Sequence, residues 1–122
     1  MPAAVRAVRG ATTVDTDTEE QVTARVQALL DAILERNGLA KDDLISIVFT
    51  ATDDVVSMFP ATAARAMGLG DVPLLCAREL AVVGGQPHCI RVLLHVSTGR
   101  NREDIQHVYL ESARGLRDDL PG

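Results

Sequence analysis

Val5-Arg6-Ala7-Val8-Arg9-Gly10-Ala11-Thr12-Thr13-Val14, followed by Asp15-Thr16-Asp17-Thr18-Glu19-Glu20-Gln21, is the stretch on which the fold turns. Its opening has β character and predicts a strand over 3–9, with Val5, Ala7 and Arg9 on one face and Arg6 and Val8 on the other. Arg9 held against Gly10 reads as a guanidinium at a strand end, a rigidly aimed fork of donors that fits a carboxylate. The second part predicts a helix start. Thr18 and Gln21 have capping-box spacing, and the acids suit the positive end of the helix dipole.

Downstream, Val22, Val26, Leu29, Leu30, Ile33 and Leu34 repeat at helical spacing, so one long helix buries a single stripe until Asn37-Gly38 stops it. Leu44-Ile45-Ser46-Ile47-Val48-Phe49 predicts a strand buried on both faces. Asp53-Asp54 marks a turn, and Phe59-Pro60 opens a short helix that Gly68 closes. A third strand is expected over 72–76, with Pro73 placing it at an edge. Gly84-Gly85 is a turn, 90–96 a fourth strand, and 105–110 either a fifth strand or a helical turn. The tail over 114–122 is polar and expected to be mobile. The expected fold is thus α/β (α+β): a mixed sheet of about five strands with one long helix on one face. The other face lies bare, and small sheets of this kind hide it by oligomerising.

The 122 residues make one domain, 1–122. Only 2% are aromatic against 47% hydrophobic, so aliphatic side chains must fill the core. A net charge of −5 argues against nucleic acid as a partner. No stretch approaches the roughly 20 apolar residues of a membrane span, and the amino terminus lacks an apolar signal region. A cytoplasmic protein is expected. Cys76 and Cys89 are too few for a disulfide framework, and His88, His95 and His107 show no zinc-ligand spacing. Basic residues are nearly all arginine; a GC-rich genome explains that bulk, so only the placement of single arginines carries a functional argument. Arg91 stands beside the apolar run Val92-Leu93-Leu94 and needs a partner. Judged on residues alone, it serves equally well in a structural ion pair with Glu79 or in anion binding.

Arg-Gly-Ala-Thr-Thr-Val at 9–14, Phe59-Pro60-Ala61, Cys76-x-x-Glu79, Gly84-Gly85, Cys89-Ile90-Arg91 and His107-Val108-Tyr109-Leu110-Glu111 occur in this order. Together they resemble the monofunctional chorismate mutases of the trimeric, pseudo-α/β-barrel class, over about the whole chain. The resemblance implies a homotrimer with active sites in the clefts between subunits. It implies conversion of chorismate to prephenate without cofactor or metal, on the branch toward phenylalanine and tyrosine.

By the same resemblance Arg91 donates to the substrate's ether oxygen, Arg9 binds a carboxylate, and Tyr109 adds a phenolic donor. Glu79 accepts from the ring hydroxyl, with Cys76 packed against the same region. Phe59 and Arg65 come from the adjacent subunit. The chain departs from the family at Thr62, where a basic residue is common. It departs again at Leu75, where a hydroxyl side chain can occur, leaving backbone groups to help bind the ring hydroxyl. Two other readings stay open: a non-catalytic trimeric module for small carboxylates, and a trimeric enamine or imine deaminase. Cys76-x-x-Glu79 with Cys89-Ile90-Arg91 favours the mutase.

Overall fold

Gly10 does not end the first strand. In the computed structural model, which describes residues 3–116, β1 runs unbroken over Ala4–Thr13, so Arg9 lies inside the strand. The reason is steric. A Cβ at Gly10 would stand 2.8 Å from Cδ1 of Ile33 and 3.1 Å from Cγ2 of Val92. The glycine lets a helix settle directly on the sheet while the ladder continues beneath it.

That helix, α1, spans Glu19–Arg36, and Thr18 caps it by accepting from the Gln21 amide at 3.1 Å. The reciprocal half of the capping box is replaced. The Gln21 side chain accepts instead from the amides of Asp15 and Thr16, tying the β1–α1 connection to the helix start. Val22, Val26, Leu29, Leu30 and Ile33 are buried along one stripe, each contributing about 2 kcal/mol. Asn37 ends the helix, and its buried side chain bridges Gln106, donating to the carbonyl at 2.8 Å and accepting from the amide at 2.7 Å. Gly38 follows in the left-handed region at φ +61°.

The remaining elements are β2 (Leu44–Ala51), α2 (Pro60–Ala64), β3 (Leu74–Arg78), β4 (Cys89–Thr98) and β5 (Val108–Tyr109). The strands form one five-stranded sheet in the order β3-β2-β4-β1-β5. β4 runs antiparallel to β1 and β2, whereas β3 and β5 pair in parallel. β3 starts two residues later than expected. Pro73 has no N–H for a ladder and contributes only its carbonyl, which accepts from Ile47 at 3.0 Å. Of the segment over 105–110, only Val108 and Tyr109 pair as strand, beside Gly10 and Ala11. α2 lies beside α1, where Gln27 donates to the Ala63 carbonyl, and continues through a wider turn, Arg65–Leu69, containing Gly68 at φ +95°.

Both helices cover one face, where Val8, Ile47, Phe49, Val92 and Leu94 meet α1 in the main core. On the second face Ala11, Cys89 and Ala113 form a small cluster, flanked by Tyr109 and Leu116. The 3₁₀ turn Glu111–Gly115 covers that corner, so Arg114 belongs to a folded turn. Positions 117–122 of the expected mobile tail lie outside the described residues. Beyond the corner the second face is bare: Val5 and Leu75 are 62% and 63% exposed.

Candidate active site

Strand register brings the arginines to the bare face. Ala11 pairs with Arg91 on one side and with Tyr109 on the other. Adjacent strands lie about 4.8 Å apart, so Arg91 and Tyr109 stand about 10 Å apart across the sheet. Arg9, two residues along β1, pairs with Leu93 and shares that face. Thr50 pairs with Arg91 from the β2 side. A row Thr50–Arg91–Ala11–Tyr109 therefore crosses the sheet, with Arg9 one step below it.

Glu79 follows β3, and its amide donates to the Ala51 carbonyl at 3.0 Å. Its carboxylate turns to the second face, where Oε2 lies 2.7 Å from Nε of Arg91. That N–H makes no hydrogen bond among the described residues, so the contact is an ion pair at close range whose donor is aimed elsewhere. The Thr50 hydroxyl donates to the same Oε2 at 3.0 Å. Arg91 and Glu79 line a cavity of about 510 Å³, walled by Leu80, Val82 and Pro87 of the following loop. The far end of that loop is pinned to the turn after β2. The Cys89 amide donates to Thr52 Oγ1 at 3.0 Å, and the His88 amide to the Asp54 carboxylate at 3.0 Å. Burial would raise the Asp54 carboxyl, but the Thr52 hydroxyl and the His88 amide outweigh it and hold it below the ordinary range.

Arg9 lines a neighbouring cavity of about 450 Å³ together with Arg6, His95, Arg102 and His107. Its Nε is buried and makes no hydrogen bond among the described residues. The Arg9 amide donates to Nδ1 of His107 at 3.0 Å, which extends the strand edge past the short β5. Leu75 also faces this side, in register with Val48.

Cys76 does not join Arg91 and Glu79 within one chain. It pairs with Phe49, whose side chain is in the core under the helices. Three residues separate Cys76 from Glu79, and an odd step along extended chain reverses the face. Cys76 instead lines a third cavity, of about 790 Å³, with Phe59, Thr62, Met58 and Arg78. Phe59 is 70% exposed there, and Asp17 holds its loop by accepting from the Val56 and Ser57 amides at 2.9 and 3.2 Å. Arg65 is exposed and donates to Thr62 Oγ1 at 3.2 Å. Arg78 grips Asp53 at the mouth through two bonds of 3.1 and 2.9 Å. Cys89 sits beside Arg91 as a core thiol, its pKa pushed up by burial against the pull of that guanidinium. Thr50 and Arg78 were not among the residues singled out from sequence. Thr50 is one of several threonines until its register with Arg91 is known.

Among the described residues, no cluster of three or more His, Cys, Asp or Glu is placed to hold a metal ion. No helix there is long and apolar enough to cross a membrane. What the bare face offers is a paired arginine, a carboxylate with one committed oxygen, a second arginine with an unengaged buried N–H, and a phenol. That set suits a small ligand bearing carboxylates and a hydroxyl, held and polarised without covalent attack.

The family model for chorismate mutase type I matches residues 5–120. The chain is 42% identical to "Chorismate mutase AroH" of Bacillus subtilis over 117 residues, covering 95% of this chain and 92% of that one. Its identity to the protein of the same name from Thermus thermophilus is 45% over 117 residues, covering 95% and 96%. A solved chorismate mutase from Clostridium thermocellum has the same fold, with a TM-score of 0.88 and 48% identity over 89% of this chain and 97% of that one. Agreement of this extent, spanning the helix, every strand and the loop between Glu79 and Arg91, leaves one conclusion: the chain belongs to the chorismate mutase type I family.

Proposed function

We propose that this protein is an isomerase that converts chorismate to prephenate, acting in the cytoplasm as a homotrimer on the branch toward phenylalanine and tyrosine. In this rearrangement one carbon–oxygen bond breaks while a carbon–carbon bond forms within the same molecule. No nucleophile or general base is needed. The protein must hold a dianionic substrate in its compact reactive shape and stabilise charge as it develops, negative at the ether oxygen and positive on the ring.

Arg91 meets the ether oxygen, its guanidinium already oriented by Glu79, so little reorganisation accompanies charge development. Arg9 and Tyr109 bind carboxylates on the same face. Glu79 accepts from the ring hydroxyl and lies beside the ring as it becomes positive. Each charge-assisted bond contributes about 1.5–3 kcal/mol, so two at the transition state supply roughly two to four powers of ten in rate.

Phe59, Arg65 and Cys76 complete the site from the adjacent subunit. Within one chain the cavity that Phe59 and Cys76 share excludes Arg91, and a site using both must be built across two chains. The exposed apolar side chains of the bare face supply the reason to associate. The observation that carries this reading is the Arg91–Glu79 pair at 2.7 Å, lining an open cavity on an uncovered sheet face.

The test is direct. Purified protein is incubated with chorismate, and loss of chorismate is followed together with appearance of prephenate. Turnover unaffected by a chelator is expected. Binding without turnover would replace the proposal with the carboxylate-binding module, and release of ammonia from an enamine without prephenate formation would replace it with the deaminase.

A further inference from the structure

Glu79 is aimed by something besides Arg91. Its backbone is fixed by the hydrogen bond that its amide donates to the Ala51 carbonyl at 3.0 Å, one step beyond the last residue of β3. That still leaves the carboxylate free to rotate. Two contacts remove the freedom, the Thr50 hydroxyl at 3.0 Å and the Arg91 guanidinium at 2.7 Å. Both fall on Oε2, and no hydrogen bond from the described residues reaches Oε1. Thr50 is also the register partner of Arg91 across β2 and β4, so one rung of the sheet carries both groups that grip the carboxylate. Without the hydroxyl, Arg91 alone would draw Glu79 toward a symmetric, two-oxygen pairing with its guanidinium, the geometry such forks prefer. That would consume Oε1 and turn the guanidinium back into the protein.

Building on the site proposed above, we infer that Thr50 is a positioning residue: its hydroxyl engages one oxygen of Glu79, keeping the other for the substrate's ring hydroxyl and keeping Arg91 turned toward the ether oxygen. Thr50 does not touch substrate. It acts through Glu79, and its effect belongs in the chemical step rather than in affinity.

Thr50→Val keeps size, branching and strand preference while deleting the donor; Thr50→Ser keeps the donor and loses only a methyl group. The expected result is a fall in kcat of about tenfold for Thr50→Val with KM within about twofold of wild type. Thr50→Ser should restore kcat to within about threefold, with all three proteins unfolding at similar temperatures. In a Glu79→Gln background, Thr50→Val should have almost no further effect, because the two residues act as one unit. An equal fall in both backgrounds would overturn the inference, as would Thr50→Ser performing no better than Thr50→Val. A crystal structure of Thr50→Val supplies a readout independent of activity. A reoriented Glu79 carboxylate supports the inference, and an unmoved one contradicts it. Wild-type protein inactive on chorismate would refute the functional proposal alone, while the crystal structure would still decide the role of Thr50.

Discussion

Replacing Gly10 with alanine puts one methyl group where the structure has no room. The new Cβ would lie 2.8 Å from Ile33 Cδ1, 3.1 Å from Val92 Cγ2 and 3.2 Å from Leu29 Cδ1. Carbon atoms in good contact stand about 3.5–4.0 Å apart, so Ile33 must retreat by close to 1 Å. It has nowhere to go, because Leu29, Ile33 and Val92 are themselves 0%, 0% and 4% exposed. Overpacking of this kind costs about 1–3 kcal/mol, against which alanine regains about 0.5 kcal/mol of backbone entropy over glycine. A net loss of about 0.5–2.5 kcal/mol lowers the unfolding temperature by about 2–10 °C in a chain of this size. Circular dichroism melts at matched protein concentration measure it, matching being necessary because the proposed trimer would make the midpoint depend on concentration. Ile33→Val removes the clashing Cδ1 and should recover part of the loss when combined with Gly10→Ala. A single mutant melting within about 1 °C of wild type, or a double mutant no better than the sum of its parts, would refute the close-approach account of Gly10.

Two shorter predictions concern the part of the site proposed to come from a neighbouring subunit. Inactive Arg91 and Arg65 variants, mixed under conditions that let subunits exchange, should regain activity, because some clefts then combine a wild-type Arg91 with a wild-type Arg65; gel filtration shows whether exchange occurred, and exchange without recovery contradicts the shared cleft. Asp17 is held below the ordinary carboxylate range by its contacts with Ser57 and with the Val56 amide beside it. A depressed folded-state pKa gives stability that is present above the unfolded value, near 4, and is lost as pH falls through the folded value. The melting temperature of Asp17→Asn should therefore trail wild type at pH 7 and converge with it toward pH 3, and a gap that widens in acid would contradict the role of Asp17.

What could be read from sequence was what is local. α1 announces itself because the period of its apolar stripe and the caps Thr18 and Asn37 lie within its own residues. β2 and β4 announce themselves because a run of aliphatic residues needs no partner to look like strand. Arg9 was misplaced to a strand end because Gly10 resembles a terminator until Ile33, far along the chain, is seen resting on it. The same limit applies to the site. Arg91 and Glu79 could be paired as charges beside an apolar run, but Thr50 had no signal apart from sheet register. Cys76 and Glu79 are close in sequence and look like one unit; strand parity sends their side chains to opposite faces.

In the proposed mechanism the fork of Arg91, held by Glu79, stabilises charge at the breaking ether bond. Steady-state kinetics of Arg91→Lys with chorismate test it most directly, since lysine keeps the charge and loses the fork. The expected result is a fall in kcat of at least about a hundredfold while KM changes by less than about tenfold. A lysine variant that keeps near wild-type kcat, with any loss confined to KM, would contradict it.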